Sequence, residues 1–348
     1  MKKILLSVIL VLLLLGGGVG YYFYKVFLAA NINADPASTT YKYLYVEPND
    51  TWTDVMTKLD SSGWVLSVDY LEKCIAYLEK EVPVCGKYDL EPNLGNRNFV
   101  NRLAYGLTNK SKLQLKMTRY THWVARNLSR QLAVDSASLA DVFLADTLLR
   151  KYGLDKQSSL ALFVRMDTAV QWCMSAKEVE TVVLDARRRF WNPVRMEKAR
   201  RTGLSLKDIH ILASIVEEET NNAEDRKMVA GVYLNRLKKR MPLQACPTAR
   251  YATGDFTLNR VLKKHTQIDS PYNTYKYAGL PPGPIRIPSG AAIDAVLDFI
   301  SHKYLYFCAK PDFSGTHNYA TNYVEHSRNA RAYQKALNKR LREQRAKK

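Results

Sequence analysis

From Ile4 to Tyr24 the chain carries no charge, a run long enough to span a bilayer as a helix. Lys2 and Lys3 precede it, and only Lys25 follows closely. The excess of positive charge ahead of the run places the N-terminus in the cytoplasm and everything after about residue 28 outside. Tyr21, Tyr22, Phe23 and Tyr24 read as an interfacial aromatic belt. The rival reading is a cleaved signal peptide, with small residues at Ala29, Ala30 and Ala34, but the apolar run is long for a signal core. The expectation is a single-pass anchor in the inner (cytoplasmic) membrane, with the rest of the chain facing the periplasm.

That topology narrows what the charge can mean. The chain has 348 residues and a net charge of +19, spread along its length. Such a surface suits anionic polymers such as nucleic acid, acidic lipid headgroups or cell-wall glycans. Export argues against nucleic acid, and no zinc-finger spacing or aromatic RNA-binding motif is present. The cysteines, Cys74, Cys85, Cys173, Cys246 and Cys308, show no CxxC or His/Cys metal spacing, so neither a metal nor a cofactor is implied. An odd number leaves at least one thiol unpaired. Cys74 and Cys85 could bridge if their segments pack together, and the remaining thiols read as buried hydrophobes.

The patterning is α+β. Residues 1–28 form the cytoplasmic tip and transmembrane helix, and 29–40 read as a small, polar linker. Residues 41–118 hold a strand at about Tyr41–Val46, helices from Asp50 and from Val68, and a second strand near Gly86. This strand–helix–helix–strand unit resembles a LysM-like glycan-binding module. Residues 119–204 read as a helical connecting region. Residues 205–348 form a mostly helical domain containing a proline- and tyrosine-rich segment, Leu243 to Pro288, and a β-hairpin from Tyr304 to Ala320. Long irregular segments inside compact domains are usually functional.

The helix expected from Ser205 carries the strongest functional signal. Ile209, Leu212, Ala213 and Val216 recur at helical spacing, and Ser205 with Asp208 marks the start. Three glutamates, Glu217, Glu218 and Glu219, then end an otherwise apolar helix, where their charge opposes the macrodipole. At 3.6 residues per turn Glu219 falls beside the apolar stripe, one turn beyond Ile215 and Val216. Glu218 points to the side opposite Val216. A carboxyl held beside apolar side chains has a raised pKa and can act as a general acid.

Further segments follow in order: Val229-Ala-Gly-Val-Tyr-Leu-Asn-Arg-Leu237, Met241-Pro-Leu-Gln-Ala-Cys-Pro-Thr248, Ser270-Pro-Tyr-Asn-Thr-Tyr275 and Gly279-Leu-Pro-Pro-Gly-Pro-Ile285. Tyr304-Leu-Tyr-Phe307, His317-Asn-Tyr319 and Glu325-His326 complete the set. Together with Ala213-Ser-Ile-Val-Glu-Glu-Glu-Thr220 they resemble the MltG (YceG-like) family of membrane-anchored endolytic murein transglycosylases. The resemblance is strong over 205–335. In the N-terminal half it rests on layout alone.

The resemblance implies the chemistry. The family's catalytic glutamate lands on Glu219, and Glu217 matches its other glutamate as a supporting group. One acid would protonate the bond between N-acetylmuramic acid and N-acetylglucosamine. Its carboxylate would then deprotonate the sugar's own 6-hydroxyl, leaving a 1,6-anhydro end and consuming no water. The implied role is limiting the length of nascent glycan strands, in contact with glycan polymerases and transpeptidases. A hydrolase would need a second carboxylate at a defined separation. Gln244, Tyr272, Asn273, Tyr275 and His317 are the expected substrate contacts. There are two departures from the family pattern. Cys246 stands where Asp usually precedes Pro-Thr, and Val164-Arg-Met-Asp-Thr-Ala169 keeps only Asp167 and Thr168 of an upstream pattern. They leave open a weak or inactive glycan-binding scaffold of the wall-synthesis machinery.

Overall fold

The structure is a computed structural model and describes residues 2–33, 42–258 and 260–346, without the side chains of 2–8, 11, 345 and 346. It is α+β, with helices predominating and the sheets small, each of two strands among the described residues. The chain divides into two units. The first comprises residues 1–113, 130–134 and 168–175, and the second 114–129, 135–167 and 176–348. The region 119–204 is therefore shared out between the two units.

In the first unit the strand Lys42–Val46 pairs antiparallel with Gly86–Leu90, Leu44 opposite Tyr88. Leu44, Val46, Tyr88 and Leu90 face inward, while Tyr43 and Tyr45 face out, as strand alternation requires. The helices Trp52–Ser61 and Val68–Tyr77 close the core with Val55, Leu59, Leu71 and Ile75. Thr51 caps the first helix in a reciprocal capping box with Asp54, and Ser67 caps the second.

A helix runs over Lys2–Phe27. Among the described residues no helix is long and apolar enough to cross a membrane. The side chains of 2–8 and 11, much of the uncharged run, lie outside the described residues, and Gly16–Gly20 with Tyr21–Tyr24 dilute the rest. The expected transmembrane helix is thus not supported by the structure. The helix's C-terminal turn instead joins the first unit. Val26 is buried; Asn96 Nδ2 donates to its carbonyl at 2.9 Å, and Asn96 Oδ1 accepts from Asn31 Nδ2 at 2.8 Å. Residues 30–32, which composition assigned to a linker, form a short strand paired with Leu94–Gly95, and Ile32 is fully buried. Residues 34–40 of that linker lie outside the described residues.

Cys85 pairs with Cys173, with Cα atoms 5.9 Å apart. Cys74, left open as a partner for Cys85, is instead a free thiol buried in its helix. The partner lies 88 residues on in sequence, in the 168–175 excursion of the chain, and no local spacing signals it.

The second unit is organised around the helix Leu206–Glu219. Its residues 209–216 are all buried, packed by Ala223–Lys238 and Gly290–Leu297. Ser205, Asn222 and Ser289 cap these helices, each accepting from the backbone N–H three residues on. Gly231 lets the second helix approach its neighbour, since a Cβ there would lie 2.4 Å from the Ile300 carbonyl oxygen. The hairpin forms between Tyr306–Ala309 and His317–Ala320, Phe307 opposite Tyr319. The segment from Leu243 to Pro288 holds a helix, Cys246–Thr253, and a 3₁₀ turn, His265–Gln267, and no strand among its described residues.

Candidate active site

The three glutamates at the end of the buried helix meet three different environments. Glu217 accepts from Arg165 Nη2 at 2.9 Å and from the Ser289 amide at 3.2 Å. Glu218 is held by three guanidinium groups. Arg119 Nη2 donates at 2.9 Å, and Arg250 and Arg286 bind the same carboxylate. Its side chain is 6% exposed. Burial pushes its pKa up, but the charges of Arg119, Arg286 and Arg250 win and hold it below the usual carboxylate range.

Among the described residues no arginine is paired with Glu219. It accepts from the Tyr233 hydroxyl at 2.7 Å. Part of the residue stays exposed, yet surrounding protein desolvates the carboxyl and raises its pKa, against the pull of Tyr233 and His317. Burial likewise pushes the Tyr233 phenol far up, so this hydroxyl stays a donor.

The hairpin brings the next groups. Thr220 Oγ1 donates to the Gly315 carbonyl at 3.3 Å, seating the turn against the end of the glutamate helix. His317 Nδ1 lies 2.6 Å from Asp225 Oδ2, and Tyr319 donates to Asp225 Oδ1 at 2.6 Å. Burial raises Asp225, but those hydrogen bonds outweigh it and keep the carboxylate ionised. The Phe307 ring stands edge-on to both His317 and Tyr233. Together these contacts form a wall from Asp225 to Glu219.

The profile of the YceG-like family matches residues 44–332, which is most of the chain. The chain belongs to the YceG-like family. An endolytic murein transglycosylase of Bacillus subtilis (strain 168) is 46% identical over 111 residues, 32% of this chain and 31% of that protein. One from Streptococcus pneumoniae serotype 2 is 28% identical over 343 residues, 89% of this chain and 61% of that protein. The chain thus spans less than two thirds of either relative. A solved yceG-like protein from Listeria monocytogenes shares the fold, with a TM-score of 0.54 and 23% identity over 84% of this chain and 99% of that one.

In this YceG-like chain the other expected site residues divide. Gln244 is exposed in the left-handed region at φ 51°, its Oε1 accepting from Arg236 Nη1 at 3.3 Å. Tyr275 is partly exposed, its hydroxyl 3.1 Å from the Cys246 thiol. Tyr272 donates to the Gln157 carbonyl at 3.2 Å and leans on Tyr251. Asn273 differs from expectation. It is fully buried, donating to the Thr266 and Ile268 carbonyls and accepting from the Tyr275 amide. Its polar groups hold the loop together.

The sequence reading missed the four arginines, Tyr233 and Asp225. It also placed Glu218 on the face opposite the apolar stripe, which suggests solvent, whereas that face is buried beneath Arg119, Arg250 and Arg286. Three adjacent carboxylates on a buried helix demand nearby cations, and that signal was available. Which arginines would supply them was not, because Arg119 lies 99 residues away from Glu218.

Proposed function

We propose that this chain is an endolytic lytic transglycosylase of peptidoglycan, with Glu219 as its acid and then its base. One observation carries the reading. Of three adjacent glutamates, two are neutralised by arginines, and the third is partly exposed, desolvated and protonated more readily than an ordinary carboxyl. Such a group can give a proton to a glycosidic oxygen and take one back from the sugar's 6-hydroxyl. Glu217 and Glu218 are engaged, which suits a one-carboxyl mechanism better than an inverting hydrolase. Glu217 would fix the helix end through Arg165 and Ser289. Gln244, Tyr275 and His317 would line the approach. The names of the relatives support the substrate class.

The wider reading follows the same lines. The uncharged run Ile4–Tyr24 would anchor the chain in the cytoplasmic membrane with its catalytic unit outside. There it would cut nascent strands between N-acetylmuramic acid and N-acetylglucosamine, leave 1,6-anhydro ends, and limit strand length beside the polymerases and transpeptidases. Residues 41–118 would serve as a LysM-like glycan-binding module. Cys246, in place of the family's usual Asp, favours a second reading, a scaffold that binds peptidoglycan and cuts it weakly or not at all. Mass spectrometry of peptidoglycan incubated with the purified chain separates these. Anhydro ends support the transglycosylase, reducing ends a hydrolase, and unchanged strands the scaffold. Glu219→Gln should abolish any cleavage, a loss of about 100- to 10,000-fold, while leaving the fold intact.

A further inference from the structure

A cleft of about 280 Å³ opens in the second unit, away from the hairpin. Its walls are aromatic. Tyr120 stacks on His122 with ring centroids 5.5 Å apart and stands 5.7 Å from Tyr251, while Trp123, next to the lining rather than in it, meets Tyr120 at 4.8 Å. Tyr251 lies 4.7 Å from Tyr272, so the rings form a continuous ladder. Trp123 is 40% exposed, and Tyr120, Tyr251 and Tyr272 each keep part of their surface open. The exposed Gln157 and Lys156 stand at the rim.

The ladder is built rather than incidental. Tyr272 donates to the Gln157 carbonyl at 3.2 Å. Gly283 holds the proline loop against the same oxygen, since a Cβ there would lie 2.1 Å from it. Arg119 also lines the cleft, and its guanidinium is bound to Glu218, so the cleft is connected to the glutamate cluster by one salt bridge.

We infer that this cleft is a saccharide subsite that takes one N-acetylated pyranose ring of a glycan strand bound across Glu219. The inference rests on the proposed function for the glycan and on the cleft's own surface for the class. Exposed aromatic rings pack on the apolar C–H face of a pyranose, while the side chains of Gln157 and His122 can hydrogen-bond its hydroxyl and acetamido groups. No carboxylate lines the cleft, and neighbouring Asp155 is turned onto the Ser158 amide and hydroxyl. Arg119 shares Glu218 with Arg250 and Arg286, so the cleft keeps some positive charge on that side. Beside Arg119 and Lys156 the lining offers aromatic rings and side-chain hydrogen-bonding groups, the surface a sugar ring uses. The volume falls just below the roughly 300–1,000 Å³ of common small-ligand pockets, enough for one ring rather than a chain.

The test uses the full chain carrying Glu219→Gln, titrated calorimetrically with N-acetylglucosamine oligomers. Tyr120→Ala, Trp123→Ala and Gln157→Ala are added singly, and circular dichroism checks each fold. The first two should weaken binding of long oligomers by about tenfold. Gln157→Ala, on the exposed rim, should weaken it by less and guards against misfolding of the aromatic variants. Unchanged affinity in all three folded variants overturns the inference. So does binding confined to peptide-bearing fragments, which would make the cleft a peptide site. Cleavage by the chain with Glu219 intact is scored separately. Anhydro ends with no effect of Tyr120 or Trp123 would sink the subsite alone. Tyr120-dependent oligomer binding without cleavage would sink the proposed enzyme and leave the subsite standing.

Discussion

The Tyr233 hydroxyl donates a 2.7 Å hydrogen bond to Glu219 Oε1, linking the last turn of one helix to the middle of the next. The bond favours the ionised carboxylate and so opposes the burial that raises its pKa. Tyr233 therefore holds the Glu219 pKa below the level that burial alone would give it. In Tyr233→Phe that restraint is gone, and the Glu219 pKa should rise further. The basic limb of the kcat/KM profile, where the acid form is lost, should move to higher pH. Profiles measured from about pH 5 to about pH 9 on both proteins decide it. An unmoved basic limb would show that Glu219 is not the titrating acid.

Glu218 presents the opposite case, a carboxylate 6% exposed among Arg119, Arg250 and Arg286. Removing its charge leaves three guanidinium groups facing one another in a partly dry site. Glu218→Gln should therefore destabilise the second unit by about 3–5 kcal/mol, the usual cost of breaking a buried ion pair from one side. Urea unfolding measures this directly. A change below about 1 kcal/mol would mean that the arginines are solvated well enough to stand alone.

How far these arrangements could be read in advance depends on the range of the signal. Ser205, Asn222 and Ser289 announce helix starts because capping is settled within three residues. The position of Glu219 beside Ile215 and Val216 follows from helical periodicity alone. The Glu218–Arg119 and Glu217–Arg165 pairs leave no periodic trace, because chain topology rather than local spacing joins them. The surroundings of Asn273 were hidden for a related reason. An asparagine in a tyrosine-rich loop looks like a ligand contact, but here the backbone of 266–275 needs its amide more. The N-terminal run is a third case. Its lack of charge is plain in the sequence, while its last turn is bound into the first unit through Val26 and Asn96.

The Cys85–Cys173 bond was equally illegible, and it has a measurable consequence. It closes an 88-residue separation, tying the 168–175 excursion to the body of the first unit. Cys85→Ser should cost about 2–5 kcal/mol and lower the thermal midpoint. Under denaturing, non-reducing conditions the intact protein should titrate three thiols, those of Cys74, Cys246 and Cys308. All five cysteines titrating without reductant would refute the bond.

His210 gives the last prediction. It sits fully buried in the glutamate helix, with Nδ1 3.0 Å from the Leu206 carbonyl and its ring beside Trp191. Burial, reinforced by the charge of Arg187, drives its pKa from 6.5 to about 3. The folded chain thus refuses a proton that the unfolded chain accepts. The contribution is present above pH 6.5 and is lost as pH falls towards 3, since the unfolded state binds more protons throughout that window. Glu218 and Asp225 are also depressed, but from ordinary values of 4.5 and 3.8, so their losses begin at lower pH. At about pH 5 the histidine therefore acts nearly alone among these three and should cost about 2 kcal/mol relative to pH 7. His210→Leu keeps an apolar side chain of similar bulk and removes the titration. Urea midpoints of both proteins at the two pH values give the comparison. The wild type should lose more stability than the variant on acidification by that amount. Parallel losses would mean that His210 takes up its proton within the folded core.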